Sequence, residues 1–170
     1  MKTVRVSLIL TAVCSVLIGS GPLTTTSTLA LAKPPTGDNL LPATRQELAR
    51  VRTVTAKYHD IIQAEADGYA SISFFESGEG FHWENGVQID ANFDPEKPEE
   101  LIYALVGNHL KLVAVEYFVP SSFEGGPPEG FTGDADVWRW NEEFLAWELD
   151  VWIWLDNPDG IFAHLNPRVP

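Results

Sequence analysis

Strand alternation in this chain sets a histidine and several carboxylates on faces that can converge, and His82, Glu116 and Asp150 stand out. In the run 110–119 both faces are apolar, with Leu112, Ala114 and Phe118 on one and Val113, Val115 and Tyr117 on the other. Glu116 interrupts the first face, and a carboxylate buried in such a run costs several kcal/mol unless it is paired, protonated or bound to a cation. In 147–155 the same arithmetic puts Glu148, Asp150, Trp152 and Trp154 on one face, and Leu149, Val151 and Ile153 on the other. His82 lies in a short strand with Glu84 on its own face. Where these faces converge inside a curved sheet, His82, Glu116 and Asp150 form a three-ligand nitrogen and oxygen site suited to a divalent transition metal. A plainer arrangement fits equally well: a buried hydrogen-bond network in which His82 pairs with one carboxylate.

If the site holds a metal that polarises a substrate or activates water, Glu84 or Glu148 is the candidate proton carrier. His164, in the tail Phe162-Ala163-His164, is a reserve ligand, whereas His59 and His109 read as boundary or surface histidines. Five of the six tryptophans fall between Trp138 and Trp154. Large aromatics mostly fill cores, which suits Trp147, Trp152 and Trp154; Trp138 and Trp140, beside a long loop, are candidates for a flat platform that would take a sugar ring. Glycoside hydrolysis needs carboxyls facing each other across a cleft, so Glu148 and Asp150 on one strand argue against it. Ser121-Ser122 lacks a nucleophile-elbow setting.

The elements that must hold these residues follow from periodicity. Thr44 and Glu47 form a capping-box pattern, after which Leu48, Val51, Tyr58, Ile61 and Ile62 recur at helical spacing, predicting one amphipathic helix over about 45–66 that ends at Gly68. Alternating runs follow at 69–76 and 80–84, and Asn85-Gly86 predicts a hairpin to 87–91. Asp94-Pro95-Glu96-Lys97-Pro98 is a turn-rich loop. The runs 101–106 and 110–119, joined by Gly107-Asn108, should pair antiparallel. Residues 120–136 form a long loop and a candidate lid, 138–144 is ambiguous between helix and strand, and 147–155 is the last long strand. The result is a single α+β domain over 44–170, with one N-terminal helix on a curved, mostly antiparallel sheet or half-open barrel.

Composition narrows the function. With 45% hydrophobic and 21% charged residues the chain has a real core, and its net charge of −13 argues against nucleic acid and anionic membrane surfaces as partners. A small molecule or carbohydrate is the expected ligand class. Residues 1–32 read as a signal peptide: Lys2 and Arg5 precede an apolar run at 6–18, and Ala30-Leu31-Ala32 is a small-x-small cleavage site. Residues 33–43, rich in Pro, Gly and Asn, form a flexible tether. The single cysteine, Cys14, falls inside the apolar run, and Val13 before it is unlike the small residue that bacterial lipoprotein signals carry there. The mature chain would then be cysteine-free, without disulfides or thiolate ligands, in the periplasm or outside the cell.

Several motifs resemble those of a group of uncharacterised small secreted bacterial and fungal proteins: Ala66-Asp67-Gly68-Tyr69, Gly80-Phe81-His82 with Asn85, Leu101-Ile102-Tyr103, and Leu112-Val113-Ala114-Val115-Glu116-Tyr117. The most specific is the tail, Trp152-Ile153-Trp154, Asn157-Pro158-Asp159-Gly160-Ile161-Phe162-Ala163 and Asn166-Pro167. The resemblance implies a site of two histidines and one glutamate, matched here by His82 and Glu116. This chain has Asp150 where the second histidine would stand. The expectation is an exported binding protein with a polar, metal-binding site inside its sheet; the alternatives are an extracytoplasmic metal-dependent enzyme, and a carbohydrate- or partner-binding module using Trp138 and Trp140.

Overall fold

The computed structural model describes residues 39–72 and 75–170. The expected signal peptide, and the tether up to residue 38, lie outside the described residues. Among those that are described, no helix is long and apolar enough to cross a membrane.

The helical stretch is shorter and more broken than its periodicity predicts. Helix α1 spans Pro42–Thr55 and opens with proline in its first turn, where a missing N–H leaves no bond unmade. Thr44 and Glu47 do not cap it. The Thr44 hydroxyl donates to the Thr132 carbonyl (2.5 Å), and Glu47 accepts from the Thr132 amide (2.8 Å) and hydroxyl (2.7 Å), so the expected capping pair ties down the long loop instead. After a 3-10 turn at Ala56–His59, Asp60 adopts an extended backbone and its carboxylate accepts from the Ile62 amide, capping a separate helix α2 at Ile61–Ala66. That restart shifts the helical phase. Ile62, expected on the buried stripe, is 70% exposed, while Leu48, Val51, Tyr58 and Ala64 are buried. Gly68, at φ +101°, ends α2 with paired bonds from its own amide to Glu65 and from the Tyr69 amide to Ala64, a C-terminal cap that only a left-handed residue completes.

Six antiparallel strands form one sheet that does not close: β1 Ala70–Ser71, β2 Phe81–Glu84, β3 Glu100–Val106, β4 His109–Pro120, β5 Arg139–Asn141 and β6 Ala146–Val151, in the order β1-β2-β3-β4-β6-β5. The expected antiparallel sheet is thus present and open, with β1 and β5 at its edges. The β3–β4 hairpin forms as expected, with Gly107 at φ +66° in its turn. Asn85-Gly86 does not make a hairpin. The Asn85 side chain accepts from the Val87 amide (3.2 Å) and donates to the Asp67 carbonyl (3.0 Å), which closes a local turn and anchors it to the end of α2; Val87 is left 95% exposed and β2 pairs with β3.

One face of the sheet carries the main core, in which Leu48, Val51 and Tyr58 meet Leu101, Tyr103, Val115, Tyr117, Leu149 and Val151. A bulge at the Ile102–Tyr103 step of the β3–β4 ladder adds a residue on β4 and reverses its parity. Leu112 consequently joins the main core, and Val113 joins Ala114, Ile102, Ala104, Trp152 and Val169 in a smaller cluster. The expected last strand stops at Val151, because the Trp152 amide bonds to Ile161 and both Trp154 and Leu155 donate to the Val113 carbonyl. Trp154 thereby leaves the face it was expected to share with Asp150: it packs against the main core, with its indole N–H on the Thr55 hydroxyl (3.2 Å). The long loop is pinned through buried Phe131, which packs against Phe93, Tyr117 and Phe162.

Candidate metal centre

Strand register sets four carboxylates in a row on the face away from α1. Glu84 stands opposite Glu100, Glu100 opposite Glu116, and Glu116 opposite Asp150, on the adjacent strands β2, β3, β4 and β6. Directly opposed residues share a face about 5 Å apart, and like charges there destabilise a sheet. Glu100, Glu116 and Asp150 are also buried, as are Glu148 and His82 beside them. The apolar face beneath, with Leu101, Val115 and Leu149 fully buried, contributes roughly 1.5–3 kcal/mol per side chain towards holding this arrangement.

At the centre, His82 Nε2 lies 3.2 Å from Glu116 Oε2. His82, Glu100 and Glu116 each offer a ligand atom, all within 4.8 Å of one another and all buried. Burial works against the charge on His82, but the hydrogen bond and charge of Glu116, together with Glu100 and Glu79, lift its pKa to about 10. Burial pushes the Glu100 carboxyl well above its ordinary value, the charge of Glu116 adds to the push, and His82 opposes it. The Glu100 side chain is only 5% exposed and lines the cleft that opens over the row.

Glu148 and Asp150 have partners. Glu148 accepts from Arg139 (2.7 Å) and from the Asn141 amide (2.7 Å); burial and the charge of Glu116 raise its pKa, against Arg139. Asp150 Oδ2 meets His164 Nδ1 at 3.1 Å, and His164 Nε2 meets Glu79 Oε1 at 2.9 Å. Burial, then the charge of Glu116, raises Asp150 to about 7 in spite of His164. Desolvation opposes the charge on His164, but its two carboxylate partners carry its pKa to about 9. A cleft of about 530 Å³ opens over the row, with Ile72, Glu76 and Glu79 on one wall and Arg139, Asn141, Glu143 and Phe144 on the other. No residue of the 120–136 loop lines it. That loop packs on the helix side, which removes it as the cover of this cleft.

Of the expected ligands, His82 and Glu116 come together, and Glu100 completes the group of three within metal-binding reach. Asp150 lies across the strand from Glu116, with its carboxylate on His164. Glu84 and Glu148 both line the cleft. Trp138 donates to Asp136 (3.2 Å) and packs edge-on against Phe93, while Trp140 lies between Phe123 and Trp147, so both are held in aromatic packing at half-buried positions. Glu100 is the residue that alternation missed. Counting back from the Gly107-Asn108 turn without a bulge puts Val115 opposite it, and the extra residue at the bulge is what moves Glu116 there. Set against protein-family models, curated proteins and solved structures, the chain matches none of them.

Proposed function

We propose that this chain is an exported protein that binds a divalent transition metal through His82, Glu100 and Glu116 at the floor of an acidic cleft. The observation that carries the reading is the convergence of His82, Glu100 and Glu116, three buried residues whose ligand atoms all lie within 4.8 Å of one another. Two carboxylates packed that closely away from water are costly when both are charged, and a divalent cation would compensate them while displacing the protons that Glu100 and His82 otherwise retain. One imidazole and two carboxylates are a donor set used by zinc, manganese and iron, and no thiolate competes, because the chain from residue 39 onward has no cysteine. Glu76, Glu84 and Glu143 along the walls give the cleft a field that draws cations inward. Export is supported by the signal-like residues 1–32 and by the resemblance of the tail motif to secreted proteins.

A metal-dependent enzyme is the second reading. Three protein ligands leave a coordination position open, as in catalytic sites, and the cleft falls in the size range of small-molecule pockets. Metal analysis of the protein purified through its export route, beside His82→Ala and Glu100→Gln, tests the shared premise. Near-stoichiometric metal that is lost in both variants supports it; a folded, metal-free wild type overturns it. Turnover of a small-molecule panel that a chelator abolishes would then favour the enzyme over the binder.

A further inference from the structure

Resting on that metal reading, we infer that Glu79 is the outer hydrogen-bond acceptor of the site and that His164, backed by Asp150, is the residue that positions it. Glu79 sits in a turn closed by the Glu76–Gly80 bridge. Its two oxygens do different things: Oε1 is held by His164 at 2.9 Å, and Oε2 faces His82 Nε2 at 4.0 Å. The second distance is too long for a hydrogen bond and leaves space for an intervening group. Glu79 lies outside the group of three whose ligand atoms converge, so its place is beside the ion's ligands and not among them.

The backbone is shaped to put the turn there. Gly78 and Gly80 have φ of +85° and +112°, and a Cβ on Gly80 would lie 2.6 Å from the Tyr103 carbonyl oxygen. The Asn166 amide donates to Gly78 (2.8 Å), the Trp152 indole to Ala163 (2.6 Å) and the Asn157 side chain to Leu165 (3.0 Å). These bonds already fasten the tail, so the charged chain Asp150–His164–Glu79 is not needed for that task. Its Asp150 end is buried directly opposite Glu116, an electrostatically unfavourable place for a mere tether. Outer partners that orient a metal's surroundings typically change affinity about 10- to 100-fold when removed.

The test is Co2+ binding to the full chain, read as a dissociation constant by competition and as the visible absorption spectrum, for wild type, Glu79→Gln, His164→Gln and the double variant. Each single variant is expected to bind about 10- to 100-fold more weakly with an altered spectrum, and the double to lose no more than the weaker single, because one residue acts through the other. Wild-type affinity and spectrum in both singles, or additive losses in the double, would overturn the inference while leaving the metal centre standing. A folded wild type that takes up no Co2+ removes the metal reading and this inference with it. Should His164→Gln lower the unfolding temperature of the metal-free protein, Glu79→Gln, which keeps the tail's own bonds, decides.

Discussion

Glu100 and Glu116 stand directly opposite each other on β3 and β4, two buried carboxylates where a sheet ordinarily places an apolar or opposite-charge pair. A protein selected for stability alone would not keep that juxtaposition, and its cost makes the site open to a simple experiment. Burial raises the Glu100 pKa, so the folded state holds its proton more tightly than the unfolded chain does. Its contribution is therefore most favourable below the ordinary carboxylate pKa and declines as pH rises. Glu100→Gln removes the decline. The metal-free variant should be more stable than wild type at pH 8 by on the order of 1 kcal/mol, measured by urea unfolding, and should fail to bind metal. A residue with only a structural role would show loss of stability in place of this exchange.

A further buried carboxylate, Glu99, stands immediately before β3. Glu99 accepts from the Phe118 amide (3.1 Å), and burial lifts its pKa to about 8, with the backbone bonds opposing and Asp90 and Asp94 adding. Because the folded pKa is raised, the stability it contributes is fully present below about pH 4.5 and is lost as pH rises towards 8. Urea unfolding of Glu99→Gln at pH 5, 7 and 9 should give a flatter profile than wild type, with the gap between the two growing to a few kcal/mol at pH 9, on the order set by linkage. Parallel profiles would place the alkaline loss elsewhere.

The turn that carries Glu79 offers a backbone prediction. At Gly80 a side chain meets both a left-handed φ and the Tyr103 carbonyl, a backbone atom that cannot swing aside. Gly80→Ala should destabilise by about 1–3 kcal/mol in thermal or urea unfolding. Gly107→Ala, at φ +66° with nothing near its Cβ, should cost less because it carries conformational strain alone. Equal losses at the two positions would mean that the close approach at Gly80 relaxes freely.

How far these features were legible in the sequence depends on whether the backbone kept its period. Alternation within each strand grouped Glu148 with Asp150 and His82 with Glu84, and because β2, β6 and the second half of β4 are regular, the register then sets those faces and Glu116 on one side. Glu100 was hidden because Val113 and Ala114 are both apolar and carry no mark of a bulge between them. Asn85-Gly86 has the composition of a hairpin turn, but its side chain was claimed by the Asp67 carbonyl, a long-range bond that no local pattern encodes. His164 reads from the sequence as a reserve ligand, but its contact with Asp150 was out of reach: residues 152–170 contain no helix or strand, so no spacing rule could bring the two together.

Arg139 and Glu148 supply the last prediction, and it separates charge from shape on the cleft wall. The pair sits on β5 and β6 directly in register, at 2.7 Å, with the Glu148 carboxylate buried and the Arg139 side chain 40% exposed. Water screens the arginine, so the pair itself adds little. Removing its cation alone, as in Arg139→Gln, leaves a buried glutamate next to the charge of Glu116 and should cost about 1–3 kcal/mol, with the loss growing as pH rises and Glu148 ionises. The double variant Arg139→Gln/Glu148→Gln should recover most of that loss, because two neutral amides satisfy the same positions. A double-mutant cycle in urea at pH 6 and pH 8 reads the coupling directly. Coupling that vanishes at both pH values would show that Asn141, which also bonds Glu148, suffices to hold the carboxylate without any cation.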